Sequence, residues 1–249
     1  MNMKDTQIIT LDKTIMLGDI HGRTIWMLII EMEKPTRVIF IGDYFDSYDV
    51  SGAKQRMNFK NIMDYKEQHP EIEFVFLIGN HDHHYFPEVG NTGTSGYQEA
   101  PNPLLNGELL DKYRDNLQMA YLLDNVLCTH AGVTPTWLEH VGWAGEKIDE
   151  FINDLWKHKP MAFKFESYGG RSDSSGNNIW QSPIWVRPRS LMQDGQEFKK
   201  TFIQIVGHTQ QETIDMGKST GGRYFFIDAL GMSQEYLIYE NKQFKKGKI

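Results

Sequence analysis

Cysteine, long apolar runs and excess positive charge are all scarce in this chain, and each shortage excludes something. Cys128 is the only cysteine among 249 residues. No internal disulfide can form, and a reducing, cytoplasmic setting is expected. No apolar stretch approaches the roughly 20 residues that a membrane span needs. The opening Met1-Asn2-Met3-Lys4-Asp5-Thr6 also lacks the apolar core of a signal peptide. The expectation is a soluble protein with no membrane partner. Lys and Arg total 26 against 33 Asp and Glu, a formal charge of −7. That balance argues against a broad basic surface for nucleic acid. It does not exclude an anionic ligand, because local positive charge at a site can reverse the sign there. The basic tail Lys245-Lys246-Gly247-Lys248 reads as a frayed, solvated end.

What the chain does contain is five short blocks in a fixed order. They are Gly18-Asp19-Ile20-His21-Gly22, Gly42-Asp43-Tyr44-Phe45-Asp46, Gly79-Asn80-His81-Asp82, Thr129-His130-Ala131-Gly132 and Gly207-His208-Thr209. Each follows an apolar run that reads as a buried strand: Thr14–Leu17, Arg37–Ile41, Phe74–Ile78, Val126–Cys128 and Phe202–Val206. In an open α/β sheet, polar residues at the carboxyl ends of successive strands converge on one crevice. Two carboxylates, a carboxamide and three imidazoles gathered there make a mixed oxygen and nitrogen set suited to two divalent metals. Taken singly, Asp19 could be only a helix cap, Asp43 or Asn80 only a turn residue, and His130 or His208 only a satisfied buried histidine. Five blocks in order, each after a strand, make all of those blander readings hard to hold together.

Between the blocks, Thr24–Glu33 and Gly52–His69 read as helices stopped near Pro35 and Pro70. Strand, ligand loop, helix, strand is the βαβ pattern, so parallel central strands are expected. Residues 104–118 look helical and Tyr121–Thr129 looks like a strand. Residues 134–157 read as two helices broken at Gly142, opened by the cap pair Thr134-Pro135. Residues 87–103 and 168–178 have loop compositions. Residues 223–228 and 234–244 alternate as hairpin strands.

The spelling and order of the five blocks resemble the calcineurin-like metallophosphoesterase superfamily, and within it the branch of phosphoprotein phosphatases and their bacterial and phage relatives. The likeness runs from about Thr14 to Asp228. It implies one α/β domain over residues 1–249, built from two facing mixed β-sheets flanked by helices. Substrate-rim insertions are expected near 87–118 and 142–180. It also implies a metal-dependent phosphoesterase in which a hydroxide bound to a metal pair attacks phosphorus directly. Asp43 would bridge the two ions, Asp19 and His21 would complete one, and Asn80, His130 and His208 the other. The metals would be Mn²⁺, with Fe or Zn as alternatives, since such ligands do not select sharply. His81 matches the family's catalytic imidazole, and Asp46 the carboxylate that aims it.

The chain departs from the pattern of that branch after Asp46, where Ser47-Tyr48 replaces the usual Arg-Gly. Serine cannot supply the bidentate fork of an arginine. Arg187, in a Trp-x-Arg segment, and Arg23, after the first block, are the substitutes expected to bind phosphate, with residue 47 itself facing the site. The leading substrate class is a phosphate monoester, either a phosphoprotein or a small phosphoester. A nucleotide or dinucleoside polyphosphate is the alternative, and a non-catalytic metal-binding scaffold a remote third. His83 and His84 lie side by side and, on a helix, should point to different faces. Cys128 should be a small buried strand residue.

Overall fold

The apolar runs that precede the first three blocks pair side by side. In a computed structural model describing residues 12–90, 96–98, 110–166, 176–194 and 198–249, β1 (Lys13–Leu17), β2 (Arg37–Phe40) and β3 (Glu73–Leu77) run parallel. Their side chains alternate between two buried faces. Ile15, Leu17, Val38, Phe40 and Phe76 pack under helices, whereas Met16, Ile39, Val75 and Leu77 meet the second sheet. Burial on both faces explains why these strands read as nearly continuous apolar runs.

Helix α1 (Trp26–Glu33) covers the first face with Trp26, Ile29 and Ile30. It ends at a left-handed Lys34 whose N–H returns to the Ile30 carbonyl at 2.9 Å, just before Pro35. Helix α2 (Gly52–Gln68) adds Phe59, Ile62 and Met63. The short α3 (Asn80–His83) follows β3 after Ile78 and the N-cap Gly79. With β4 (Leu117–Gln118), β9 (Glu235–Glu240) and β10 (Gln243–Lys248), the full order of this sheet is β10-β9-β1-β2-β3-β4.

The second sheet pairs β5 (Ala120–Leu123), β6 (Val126–Thr129), β7 (Ile203–Val206) and β8 (Tyr224–Phe226) in that order, the last three parallel. Val126, Cys128, Ile205 and Phe225 face the first sheet. Burial pushes the Cys128 thiol up to about 12, so it packs as a small apolar residue. Helices α4 (Pro135–Val141) and α5 (Ile148–His158) break at Gly142, which is left-handed at φ 86°. Thr134 caps α4 by accepting from the Trp137 N–H at 3.1 Å. Helix α6 (Pro188–Gln193) covers the outer face, where Leu191 meets Val206, Tyr224 and Phe226.

Several expectations need correction. Leu117–Gln118 is not the end of a helix but strand β4, paired parallel to β3, preceded by a helical turn at Asp111–Tyr113. The strand read over Tyr121–Thr129 is a hairpin of β5 (Ala120–Leu123) and β6. Asp124, left-handed at φ 55°, turns the chain, a conformation that Asp tolerates better than most residues. The basic tail is no frayed end but most of β10 (Gln243–Lys248), antiparallel to β9 (Glu235–Glu240) at the sheet edge. Lysines on an edge strand discourage pairing with other chains. Of the expected rim, residues 91–95, 99–109 and 167–175 lie outside the described residues, while α5 buries Ile152, Leu155 and Trp156 in the core. No helix among the described residues is long and apolar enough to cross a membrane.

Candidate metal centre and active site

The loops after β1, β2, β3, β6 and β7 meet at the carboxyl ends of their strands, and all five blocks lie there. Asp19, Asp43, Asn80, His130 and His208 are buried, with His21 less so. His21, Asp43, Asp46 and His208 all adopt left-handed backbone, at φ 42°, 52°, 62° and 62°. Such conformations are costly for residues with a Cβ and persist where the surroundings over-determine them. A buried carboxylate provides part of that constraint. Asp82 accepts the N–H groups of Asp43 (2.8 Å), Tyr44 (2.8 Å) and Gly79 (2.9 Å), tying the second block to the third. Gly79 is required by the close approach: a Cβ there would lie 2.0 Å from Asp43 Oδ1.

The polar atoms fall into two adjoining groups. Asn80 Oδ1 lies 3.0 Å from His130 Nε2 and 2.8 Å from His208 Nδ1. Asp43 Oδ2 lies 3.4 Å from His130 Nε2 and 3.8 Å from His21 Nε2, which is itself 4.0 Å from Asp19 Oδ2. Asp19, His21 and Asp43 each offer one ligand atom within 4.8 Å of the others. Two imidazoles are aimed from behind. His130 Nδ1 donates to the Ile41 carbonyl at 2.9 Å and His21 Nδ1 to the Phe45 carbonyl at 2.6 Å. Each thereby turns Nε2 toward Asp43, the arrangement that prepares a histidine to bind a metal.

The electrostatics test whether divalent cations fit. Burial, then the nearby Asp228 charge, push the Asp19 carboxyl well above the usual carboxylate range. At Asp43 burial works the same way, but the His130, His81 and His21 imidazoles overcome it and hold the carboxyl well below that range. Burial and the Asp43 charge raise Asp228 to about 6. Burial opposes a charge on His130 too, yet Asp43 and Asp19 push it up to about 10. Three carboxylates this close and this dry cannot all be anions without compensating positive charge, which cations supply. His208 Nε2 is also buried with no hydrogen-bond partner among the described residues. The donor set therefore fits metal ions.

Beside this cluster, His81 Nδ1 lies 3.0 Å from Asp46 Oδ2. Burial disfavours the His81 charge, but Asp43 and Asp46 outweigh it and raise the imidazole above its ordinary value. The backbone N–H of His81 donates to Asp43 Oδ1 at 2.9 Å, which links the dyad to the cluster. Arg187 stands at the fifth block, its Nη1 donating to the His208 carbonyl (3.0 Å) and Thr209 Oγ1 (3.1 Å). Arg23 folds back on the first block, its Nη1 reaching the carbonyls of Asp19 (3.4 Å) and Ile20 (3.3 Å). Residue 47 does not face the site as its spelling suggested. Ser47 is buried, and its hydroxyl accepts the N–H groups of Asp49 (3.2 Å) and Val50 (3.1 Å) inside its own loop.

Three residues here escaped sequence reasoning. Asp228 follows the apolar run Tyr224–Ile227 just as the other carboxylates follow theirs, and that signal could have found it. His84 and Tyr85 also reach Asp46, with His84 Nε2 2.7 Å from Oδ2 and the Tyr85 hydroxyl donating to Oδ1. His84 lies three residues after His81, on the same face of the helical turn, and that spacing was visible in the sequence. His83 points the other way, its Nε2 3.0 Å from the Pro160 carbonyl and its ring against Trp156.

A family model for calcineurin-like phosphoesterases matches residues 13–211. Among solved structures, the chain is similar to a cold-active protein-tyrosine phosphatase of a psychrophile, Shewanella sp. The identity is 16% and the TM-score 0.67, over 96% of this chain and 78% of that one. It is also similar to a protein serine/threonine phosphatase from Saccharomyces cerevisiae, at 14% identity and a TM-score of 0.54, over 96% and 81% of the two chains. At these identities the likeness is one of fold. No curated protein sequence matches the chain.

Proposed function

The chain belongs to the calcineurin-like phosphoesterase family and is a hydrolase of phosphoester bonds; from that premise we propose that it cleaves phosphate monoesters, of a phosphoprotein or a small phosphoester, with two divalent metals. Asp19, His21 and Asp43 would hold one ion, and Asp43, Asn80, His130 and His208 the other. Mn²⁺ is the first choice, with Fe or Zn as alternatives. When bound, such a pair neutralises phosphoryl oxygens and makes a water acidic enough to attack phosphorus. The observation that carries this reading is the convergence of Asn80, His130, His208, Asp43, His21 and Asp19 in one buried cluster.

The remaining steps belong to side chains. Asp46 occupies His81 Nδ1, so His81 Nε2 is the atom left to hold a proton for the leaving oxygen. Arg187 and Arg23 would bind the phosphate, replacing the arginine missing at Ser47. No residue forms a covalent phosphoenzyme in this scheme. Residues 1–249 would act as one domain in the cytoplasm, with the rims near 87–118 and 142–180 choosing the substrate.

The test is turnover by protein stripped of metal and reloaded with Mn²⁺, across a panel. The panel holds p-nitrophenyl phosphate, a phosphopeptide, nucleoside mono- and diphosphates, a cyclic nucleotide and diadenosine tetraphosphate. Mn²⁺-dependent cleavage of the aryl phosphate and the phosphopeptide is expected. Cleavage confined to the dinucleotide would move the substrate class to polyphosphates, and no cleavage of any member would sink the reading.

A further inference from the structure

We propose that His84 and Tyr85 are positioning residues: they set the orientation of the Asp46 carboxylate and, through it, of the His81 imidazole at the leaving oxygen. The inference rests on the reading of His81 as the proton donor and adds the parts that keep it aimed. Asp46 needs holding, because it is buried, carries a charge and adopts left-handed backbone at φ 62°. A carboxylate can rotate about its Cβ–Cγ bond, and one bond to His81 would not fix that rotation. Asp46 has three partners on its two oxygens. His81 Nδ1 is hydrogen-bonded to Oδ2 at 3.0 Å, His84 Nε2 stands 2.7 Å from the same oxygen as an ion-pair contact without hydrogen-bond alignment, and the Tyr85 hydroxyl donates to Oδ1. With contacts on both oxygens the carboxylate plane is determined, and with it the direction from which His81 is held.

The clamp is itself supported. Gln98 N donates to the Tyr85 oxygen at 2.9 Å, so the Tyr85 proton is directed to Asp46, and such chains polarise one another. Burial and the bond to Asp46 push the Tyr85 phenol upward, keeping it a donor. The Tyr97 ring stacks on Tyr85 at 5.2 Å and meets the edge of His84 at 5.0 Å. Gly96 lets the same strap lie against the dyad, since a Cβ there would come within 2.9 Å of His81 Cε1. Asp46, His81 and His84 could instead hold a metal ion. Metal content of the His84 variants separates that reading from the clamp.

The experiment compares His84→Leu, His84→Gln and Tyr85→Phe, each alone and combined with His81→Ala, in Mn²⁺-loaded enzyme. Substrates are phenyl phosphate, whose leaving group needs a proton, and p-nitrophenyl phosphate, whose leaving group needs it less. His84→Leu and Tyr85→Phe should lower kcat for phenyl phosphate about 10- to 100-fold, the scale of a small misplacement of a reacting group. The loss should be within about threefold for p-nitrophenyl phosphate, with KM and metal content unchanged. His84→Gln keeps an N–H near the position of Nε2 and should restore most of the rate. In the His81→Ala background the further substitutions should cost nothing, because the aimed group is gone.

Equal losses for both leaving groups, losses that persist without His81, or a missing metal ion in the His84 variants would each overturn the inference. If His84→Leu does not fold, the conservative Tyr85→Phe decides by the same criteria. Turnover of phenyl phosphate left unchanged by His81→Ala alone would overturn the donor assignment and this inference together. Dependence on His81 with none on His84 or Tyr85 would overturn the inference alone.

Discussion

Arg187→Ala should weaken both substrate binding and turnover, and the structure sets the scale. The guanidinium is anchored at Nη1 by the His208 carbonyl and Thr209 Oγ1. Burial lowers its pKa while the charges of Asp19, Asp43 and Asp228 act to raise it, so it lies within the field of the carboxylate cluster. An arginine keeps its charge in such a setting. A charge-assisted contact to phosphate contributes ~1.5–3 kcal/mol. Arg187 is only partly buried, and solvent screening favours the lower half of that range. With a factor of ten for each ~1.4 kcal/mol, kcat/KM should fall roughly 10- to 50-fold. The inhibition constant of inorganic phosphate should rise by a similar factor, and Arg187→Lys, which keeps charge but not the fork, should recover part of the loss. Steady-state kinetics on p-nitrophenyl phosphate, with metal content measured in parallel, read these effects directly. Metal should be retained, because the bond to His208 uses its carbonyl and not its ring. Adding Ser47→Arg should not rescue the variant, since that side chain points into its own loop. An Arg187→Ala enzyme with unchanged kcat/KM and unchanged phosphate inhibition would refute the assignment and leave Arg23 as the candidate.

Asp43→Asn should abolish turnover and lower bound metal, because a neutral amide bridges two cations poorly; full activity with two ions per chain would sink the bridging role. His81→Ala should slow turnover of phenyl phosphate by roughly 10²–10⁴-fold with metal content nearly intact, and loss of metal would instead make His81 a ligand. Chelation should destabilise the fold, since the buried carboxylates would lose their compensating charge. At free metal a hundredfold above its dissociation constant, each ion adds ~2.7 kcal/mol, or about 5–10 °C in Tm for a domain of this size. A Tm that ignores chelator in a metal-loaded sample would refute the claim that these residues hold ions.

The fold class could be read from the chain because β1, β2, β3, β6 and β7 are buried on both faces and so appear as unbroken apolar runs ending in a polar block. Periodicity failed where tertiary pairing overrode it. Leu117 and Gln118 carry no strong strand signal, and only the open edge of β3 makes them a strand. The hairpin at Asp124 was hidden because both of its arms are apolar and the turn is two residues long.

At the site, the spelling of the blocks settles which chemistry is available: carboxylate, amide and imidazole donors after successive strands, in an order that names the family. It could not say which way a side chain points, since that depends on neighbours distant in the chain. Ser47 and Asp46 are adjacent, yet one satisfies its own loop while the other takes His81, His84 and Tyr85. Asp228 stands 209 positions after Asp19 (228 − 19), and only the packing of β8 brings its charge to bear on that carboxyl. Local sequence decides what a residue can do chemically, whereas the partners that orient and charge it are supplied by strand pairing and burial, which only the tertiary structure sets.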